Sequence, residues 1–237
     1  ASVFSNVLMV EMTRGCGWGC RFCLAGYWYR PVRFSNTEKL AQRLEGLDLR
    51  DRSVGLVGAC LVDHPELDRV TTDLADAGIA YTTSSLRLEL LDDEKVSRIV
   101  RGGMRTITIA PEAGTERLRR VIRKPMRHEE ILRAGRNLAA RRVGKIKLYF
   151  MLGLPTETDE DMEGIVAIVH DLRRVFAEVG HHPRLSLTVS PLVPKPWTAY
   201  QWKAMVDEKT HRRRAKILYR ALDRVSGVRV RVGAPRE

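Results

Sequence analysis

The sequence predicts an α/β fold that forms an open partial barrel. Apolar runs rich in β-branched residues alternate with helical stretches along most of the chain. Strand after helix after strand implies parallel pairing through right-handed crossovers. Six such units are too few for a closed eight-stranded barrel. We therefore expect an open (βα)6 arrangement, followed by a C-terminal helical and strand extension.

The predicted elements follow one another with short connections. Buried strands are expected at 6–12, 54–58, 79–84, 105–110, 146–152 and 185–190. Helices are expected at 37–46, 65–77, 92–101, 115–122, 128–142, 158–179 and 203–224. Two helix starts carry specific signals. Asp63, His64 and Pro65 are typical of a helix with proline in its first turn, and Thr156 and Thr158, each with an aspartate three residues later, are typical of a capped start.

Length and charge limit the class of protein. The chain has 237 residues, which suffices for one substantial domain, and we expect a core over 1–202 with an extension over 203–237. Its net charge of +12 suits phosphate binding. However, the cations are spread along most helices, with one dense run at 211–214. An arginine-rich solvated surface is therefore favoured, and nucleic-acid binding stays open.

Localisation is predicted from what the sequence lacks. No apolar stretch approaches the roughly 20 residues that a membrane span requires. A secretory signal is not apparent, and the cysteines are few and clustered. These features favour a reducing cytoplasm.

The most specific feature is a C-x3-C-x2-C cluster formed by Cys16, Cys20 and Cys23. Three thiolates can hold a four-iron cluster and leave one iron without a protein ligand. A ligand with adjacent amino and carboxylate groups can chelate that open iron. Glycines at 15, 17 and 19 suit a loop that must fold around a cluster.

Other uses of cysteine fit this spacing less well. A ferredoxin-type carrier needs four ligands per cluster, and the remaining cysteine is the distant Cys60. A structural zinc site that recruits Cys60 would usually show two C-x2-C pairs or a pair of histidines. A disulfide framework is disfavoured in a chain of this size. Zinc stays the main alternative, and Cys60 is otherwise expected to be a buried apolar residue.

Four segments resemble the radical S-adenosylmethionine (radical SAM) superfamily. They are residues 11–33 with the cysteine cluster, 108–118 with Pro-Glu-Ala-Gly-Thr, 147–158 with Gly-Leu-Pro-Thr-Glu, and 190–197. The resemblance extends from residue 5 to about 202. It implies a radical SAM-type partial barrel, a 4Fe-4S cluster on the three cysteines, and SAM on the open iron.

The resemblance and the fold together suggest a cofactor site. Ligands of parallel α/β folds collect at the carboxyl ends of the strands, where all the quoted segments are expected. The candidate SAM contacts are Phe22, Gly58, Ser85, Arg87, Glu112, Gly153, Pro155 and Ser190. Several have structural alternatives. Glu112 can simply offset a helix dipole, Arg87 can be a surface cation, and the family's glutamate after Gly58 is missing here, with Cys60 near its place.

The resemblance also implies partners. Radical SAM chemistry needs a one-electron donor such as a flavodoxin or a ferredoxin, and the substrate is unknown. The later motifs resemble a branch in which a cobalamin-binding domain often precedes the core. Because the chain begins with Ala1 and contains no D-x-H-x-x-G motif, we expect an upstream domain outside this chain, with cobalamin its leading ligand. Methylthio transfer to RNA or protein and a non-enzymatic iron-sulfur or zinc module are the alternatives.

Overall fold

The computed structural model describes residues 6–47, 49, 52–84, 86–87 and 92–234. Its strands are β1 Val7–Arg14, β2 Arg33–Phe34, β3 Ser53–Gly58, β4 Tyr81–Thr83, β5 Thr106–Glu112, β6 Lys145–Leu152, β7 Arg184–Pro191 and β8 Val228–Val232. Its helices are α1 Thr37–Leu44, α2 Leu67–Asp76, α3 Asp93–Arg101, α4 Glu116–Val121, α5 His128–Ala140, α6 Asp159–Glu178 and α7 Glu208–Leu222. Strands and helices therefore alternate as the sequence predicts.

The strands form two sheets that an isolated bridge connects. One sheet has the order β2-β1-β3-β4 and the other β5-β6-β7-β8. All pairs are parallel except β1 with the short β2, which is antiparallel at Thr13 and Arg14. A parallel bridge between Leu86 and Ile109 links the two sheets. The predicted α/β fold with parallel strands is confirmed.

The core lies between the strands and the helices that cross over them. Side chains of β3, β5 and β6 such as Leu56, Ile107 and Ile146 are fully buried. Helix α6 contributes residues to the same core, including Ile165 and Leu172, which are also fully buried. The strands differ in pattern: β3 has three consecutive buried residues, 54–56, whereas β5 and β6 alternate buried with more exposed positions.

Several element boundaries differ from the prediction, and local hydrogen bonds explain two of them. Helix α2 begins at Leu67 rather than at 65, since the His64 ring accepts from the Glu66 amide at 3.1 Å and fixes a separate turn. Helix α7 begins at Glu208 rather than at 203, because Asp207 caps it by accepting from the Thr210 amide at 2.8 Å. The predicted cap at Thr158 is confirmed.

The C-terminal segment continues the second sheet. Strand β8 pairs in parallel with β7 from Leu185 to Val189. The division at 202 and 203 into core and extension stays a prediction. Among the described residues, none of the helices combines the length and apolarity needed to cross a bilayer. The cytoplasmic location also stays a prediction.

Candidate functional site

The loop that follows β1 holds the three clustered cysteines. We call residues 15–32 the cysteine loop. The Cys16 amide donates to the Ala25 carbonyl at 3.1 Å and the Cys23 amide to the Cys20 carbonyl at 3.0 Å. A 3-10 turn, Leu24–Gly26, follows Cys23. These bonds hold the cysteines on one compact loop at the carboxyl edge of the sheet.

Two glycines allow the cysteine loop to fold back on itself. Gly15 has a φ of +82°, and a Cβ there would lie 2.1 Å from the Tyr29 carbonyl oxygen. A Cβ on Gly26 would lie 2.1 Å from the Trp18 carbonyl oxygen. Both positions exclude a side chain, since real Cβ atoms do not approach backbone atoms so closely. The glycines are thus required by the loop's own conformation.

The C-terminal end of α4 anchors the cysteine loop. Arg21 donates from its amide to the Ile122 carbonyl at 3.0 Å and from its guanidinium to the Val121 carbonyl at 2.9 Å. The Arg123 guanidinium occupies the space beside Gly19, where a Cβ would lie 3.2 Å from it. The loop is therefore held between its own turn and the end of α4.

Two thiols of the loop, those of Cys16 and Cys20, are buried beside positive charge. Burial raises the pKa of the Cys16 and Cys20 thiols, while the charge of Arg87 acts in the opposite direction on both and that of Lys124 on Cys20. Metal ligation requires thiolates, so neighbouring cations favour the ligating form. Lys124 was not among the residues that the sequence indicated.

The donor set fits a four-iron cluster with one open iron. Cys16, Cys20 and Cys23 are free thiols of one loop, whereas Cys60 lies outside that loop and its Sγ donates to the Gly15 carbonyl at 3.4 Å. Within the described part of the chain, no three His, Cys, Asp or Glu side chains converge on a single metal ion. A four-iron cluster does not require such convergence, because each thiolate binds a different iron.

Phe22 brings the cysteine loop into contact with the second sheet. It packs against a small apolar cluster at the ends of β5, β6 and β7. The buried members of that cluster are Ala113, Leu118, Ile122, Leu154, Leu192 and Tyr200. Tyr200 is buried in this cluster, and its hydroxyl donates to the Val121 carbonyl at 3.1 Å. Its role is therefore to pack this part of the structure. Trp197 and Trp202 are instead exposed, and the Trp197 ring lies 5.5 Å from that of Trp28.

Glu112 ends β5 in an unusual conformation and is paired. Its φ is +68°, and the ladder to β6 shifts register between Ile109 and Glu112. Lys124 lies 3.0 Å from its Oε1 and also donates to the Ala110 carbonyl at 2.6 Å. Both side chains are largely buried. A non-glycine residue in the left-handed region is strained, and such strain is concentrated at functional sites.

The remaining candidates on the first sheet lie at its carboxyl edge. Gly58 ends β3, where a Cβ would lie 2.1 Å from the Thr13 Oγ1, and its carbonyl accepts from Ser84 at 3.0 Å. Ser85 lies outside the described residues. On the second sheet, Ser190 is exposed near the end of β7, opposite Met151.

Arg87 lies against the cysteine loop. Its guanidinium carbon is 3.7 Å from the centre of the Trp18 ring. The Trp18 indole N–H donates to Asp63 at 2.7 Å. The sequence indicates Arg87 but gives no sign of Trp18, and it indicates Asp63 only as part of a helix start.

The Gly153-Leu154-Pro155 turn is held by a buried carboxylate. Gly153 has a φ of +86°, and its amide donates to Glu157 at 2.7 Å. Arg214 of α7 donates to the same carboxylate oxygen at 2.6 Å, so α7 is tied to this turn. Burial raises the pKa of Glu157 to about 7, although the Gly153 amide and the charge of Arg214 both act to lower it. Pro155 is partly exposed at the turn.

The raised pKa of Glu157 predicts pH-dependent stability. The unfolded chain releases this proton near its ordinary value of 4.5 and the folded chain only near 7, so the stability that the protonated form contributes is lost as the pH rises through that window. Between about pH 5 and pH 8, we expect the wild type to lose on the order of 2 kcal/mol more unfolding free energy than Glu157→Gln, which does not titrate. Chemical denaturation at both pH values measures this difference. Identical losses in the two proteins would show that burial does not control this carboxyl.

Comparison with known proteins identifies a family. Residues 10–169 match the radical SAM superfamily. The chain is 34% identical over 229 residues to an uncharacterized protein of Methanocaldococcus jannaschii, covering 96% of this chain and 49% of that protein. The chain therefore spans about half the length of the curated relative that it matches.

Solved structures share the fold. TsrM, a radical SAM methyltransferase from Kitasatospora setae with cobalamin and a 4Fe-4S cluster bound, has a TM-score of 0.63 at 13% identity, covering 82% of this chain and 38% of its own. SuiB from Streptococcus suis bound to S-adenosylmethionine has a TM-score of 0.63 at 12% sequence identity, and the match covers 98% of this chain and 51% of SuiB. HemN, the coproporphyrinogen III oxidase of Escherichia coli, has a TM-score of 0.55 at 16% sequence identity, and the match covers 91% of this chain and 51% of HemN.

Proposed function

Because the chain belongs to the radical SAM superfamily, we propose that its cysteine loop carries a 4Fe-4S cluster and that the chain cleaves SAM to begin radical chemistry on a substrate still to be identified. Membership of the family implies both cofactors. The observation that carries the proposal is the position of Cys16, Cys20 and Cys23 on one glycine-folded loop at the carboxyl edge of a parallel sheet.

The residues of the chain have separable tasks in this chemistry. When bound together, cluster and SAM supply a 5'-deoxyadenosyl radical that takes a hydrogen atom from a substrate. The three thiolates hold the cluster and leave one iron for SAM. Phe22 and the apolar cluster that it joins restrict water near the loop. Arg87 and Glu112 offer charged partners for the methionine end of SAM, while Gly58, Gly153, Pro155 and Ser190 offer small or backbone contacts.

The electron donor and the reaction that follows are also proposals. We propose a flavodoxin or a ferredoxin as the donor, which the exposed cations Arg21 and Arg30 of the cysteine loop suit, since such proteins are often acidic. Cobalamin-dependent methyl transfer is the leading candidate for the overall reaction. Its support is the resemblance of the later motifs to a branch of the family with cobalamin-binding domains.

Anaerobic reconstitution tests the proposed function. We expect about four irons per chain, a broad brown absorbance and, after reduction, conversion of SAM to 5'-deoxyadenosine. Stoichiometric zinc without colour would favour the alternative of a zinc-binding module. A longer native protein that binds the cluster and never retains cobalamin would remove the cobalamin proposal alone.

Variants at Arg87 and Glu112 test the SAM contacts. Arg87→Ala and Glu112→Ala should each weaken SAM binding without loss of iron, because neither residue is an iron ligand and a lost hydrogen bond to a charged group costs about 1.5–3 kcal/mol. Lys124→Met should act like Glu112→Ala, since it leaves the largely buried Glu112 unpaired. Isothermal titration of the reconstituted protein measures the affinity. Glu163→Ala, at an exposed position of α6, is the control. Unchanged affinity in all three variants would exclude these residues from the site.

A further inference from the structure

Three side chains from three loops form a continuous contact beside the cysteines. Trp18 lies between Cys16 and Cys20 in the cysteine loop, Asp63 follows β3, and Arg87 follows β4. The Trp18 Nε1 donates to the Asp63 Oδ2 at 2.7 Å, and the Arg87 guanidinium carbon lies 3.7 Å from the centre of the indole ring. The indole thus has an anion at its N–H edge and a cation over its face.

Both contacts have favourable geometry. The Arg87 distance is well inside the limit of about 6 Å for a cation–π interaction, and tryptophan is the best aromatic partner. The Asp63 bond has the length of a charge-assisted hydrogen bond. A carboxylate that accepts from the indole N–H also makes the ring more electron-rich, so the two contacts strengthen each other. The partly buried positions of Trp18 and Arg87 limit competition from water.

Stacking on the indole does not neutralise the charge of Arg87. A guanidinium stacks through its face, while its N–H donors point outward along its edge. Its positive charge acts on both Cys16 and Cys20. A cation fixed near a cluster stabilises the reduced form, which carries one more negative charge. Because the attraction between charges weakens with distance, a mobile arginine would stabilise the reduced cluster less than an arginine held by an indole.

We propose that Trp18 and Asp63 are positioning residues for Arg87: Asp63 fixes the indole of Trp18, and the indole holds the guanidinium of Arg87 beside the cysteine loop. There the charge of Arg87 favours the reduced cluster and attracts the carboxylate of SAM. This inference rests on the proposed function. It differs from a purely structural role of Trp18, in which the indole only fills space in the loop.

A double-variant cycle in the reconstituted protein tests the proposal. The variants are Arg87→Gln, Trp18→Leu and their combination, and the readouts are iron content, the midpoint potential of the cluster without SAM, and the SAM dissociation constant. We expect each single variant to make the potential more negative and to weaken SAM binding by roughly three- to tenfold. The combination should add little to Arg87→Gln alone, because the indole acts through the arginine.

Milder variants separate positioning from folding of the loop. Trp18→Phe and Asp63→Asn keep most of the packing, and we expect them to shift both readouts in the same direction but less. Arg136→Gln removes one exposed charge on α5 and is the control for net charge. The inference would be overturned if Trp18 variants that retain iron had the midpoint potential and SAM affinity of the wild type. Additive effects of Arg87→Gln and Trp18→Leu in the double variant would also overturn it. A wild-type protein that takes up no cluster or binds no SAM would instead overturn the proposed function.

Discussion

Replacing Cys16, Cys20 or Cys23 by alanine is expected to abolish both cluster loading and formation of 5'-deoxyadenosine. With two thiolates left on the loop, the cluster loses one of its three protein ligands, and the iron that binds SAM is no longer defined. Iron analysis, visible absorbance and product detection after anaerobic reconstitution measure the effect. All three single variants should give the same result.

Cys60→Ala is the matched control for these variants. Cys60 is more deeply buried than Cys16, and it lies outside the cysteine loop, with its Sγ bonded to the Gly15 carbonyl. We expect its iron content to stay close to that of the wild type. Complete loss of the cluster in Cys60→Ala would indicate coordination by four thiolates, and the open iron that SAM requires would then not exist.

Asp161→Ala is expected to cause a large loss of stability, although the residue lies outside the cysteine loop. The carboxylate is almost fully buried and accepts from Arg117 at 2.6 Å and from the Thr158 amide at 2.8 Å, with a further short bond from Thr115. Truncation leaves these donors without their acceptor. Arg117 is about half exposed, so water can partly replace its lost partner. The cost is therefore that of losing hydrogen bonds to a buried charged group, about 1.5–3 kcal/mol, which corresponds to a fall in Tm of roughly 3–12 °C for a chain of this size.

The same substitution should also disturb the proposed SAM site. Thr115 caps α4 directly after the Glu112-Ala113-Gly114 turn, and a Cβ on Gly114 would lie 2.0 Å from the Asp161 carbonyl oxygen, so this turn packs tightly against α6. Glu160→Ala is the control, since Glu160 is exposed in the same helical turn. We expect it to change stability by no more than about 0.5 kcal/mol. Equal melting temperatures for Asp161→Ala and Glu160→Ala would show that the buried carboxylate does not join the turn to α6.

Much of the fold was predictable because its signals are local. The buried strands show as apolar, β-branched runs, and the cap at Thr158 shows in a four-residue pattern. Boundaries were less predictable. The start of α7 at Glu208 depends on which of several polar residues caps the helix, and Asp207 does so here. Strand β2 was missed because two residues paired with β1 leave no periodic pattern.

The candidate site was predictable only in part. The cysteines lie within eight residues of one another, so their spacing alone indicates a shared ligand. Glu112 and Arg87 were indicated by their place at strand ends. Their partners were not, because nothing near Lys124 or Trp18 in the sequence shows which side chain will lie beside it.

The sequence by itself determined the α/β class and the three-cysteine loop. Both features depend on residue types and spacing over short stretches of the sequence, so they can be read without knowing which distant elements come into contact. Only the tertiary structure decided that Glu112 is paired with Lys124, that Asp161 joins two helices, and that Arg87 stacks on Trp18. Each of these contacts joins separate elements, so it exists only once the strands have paired and brought their carboxyl ends to one edge.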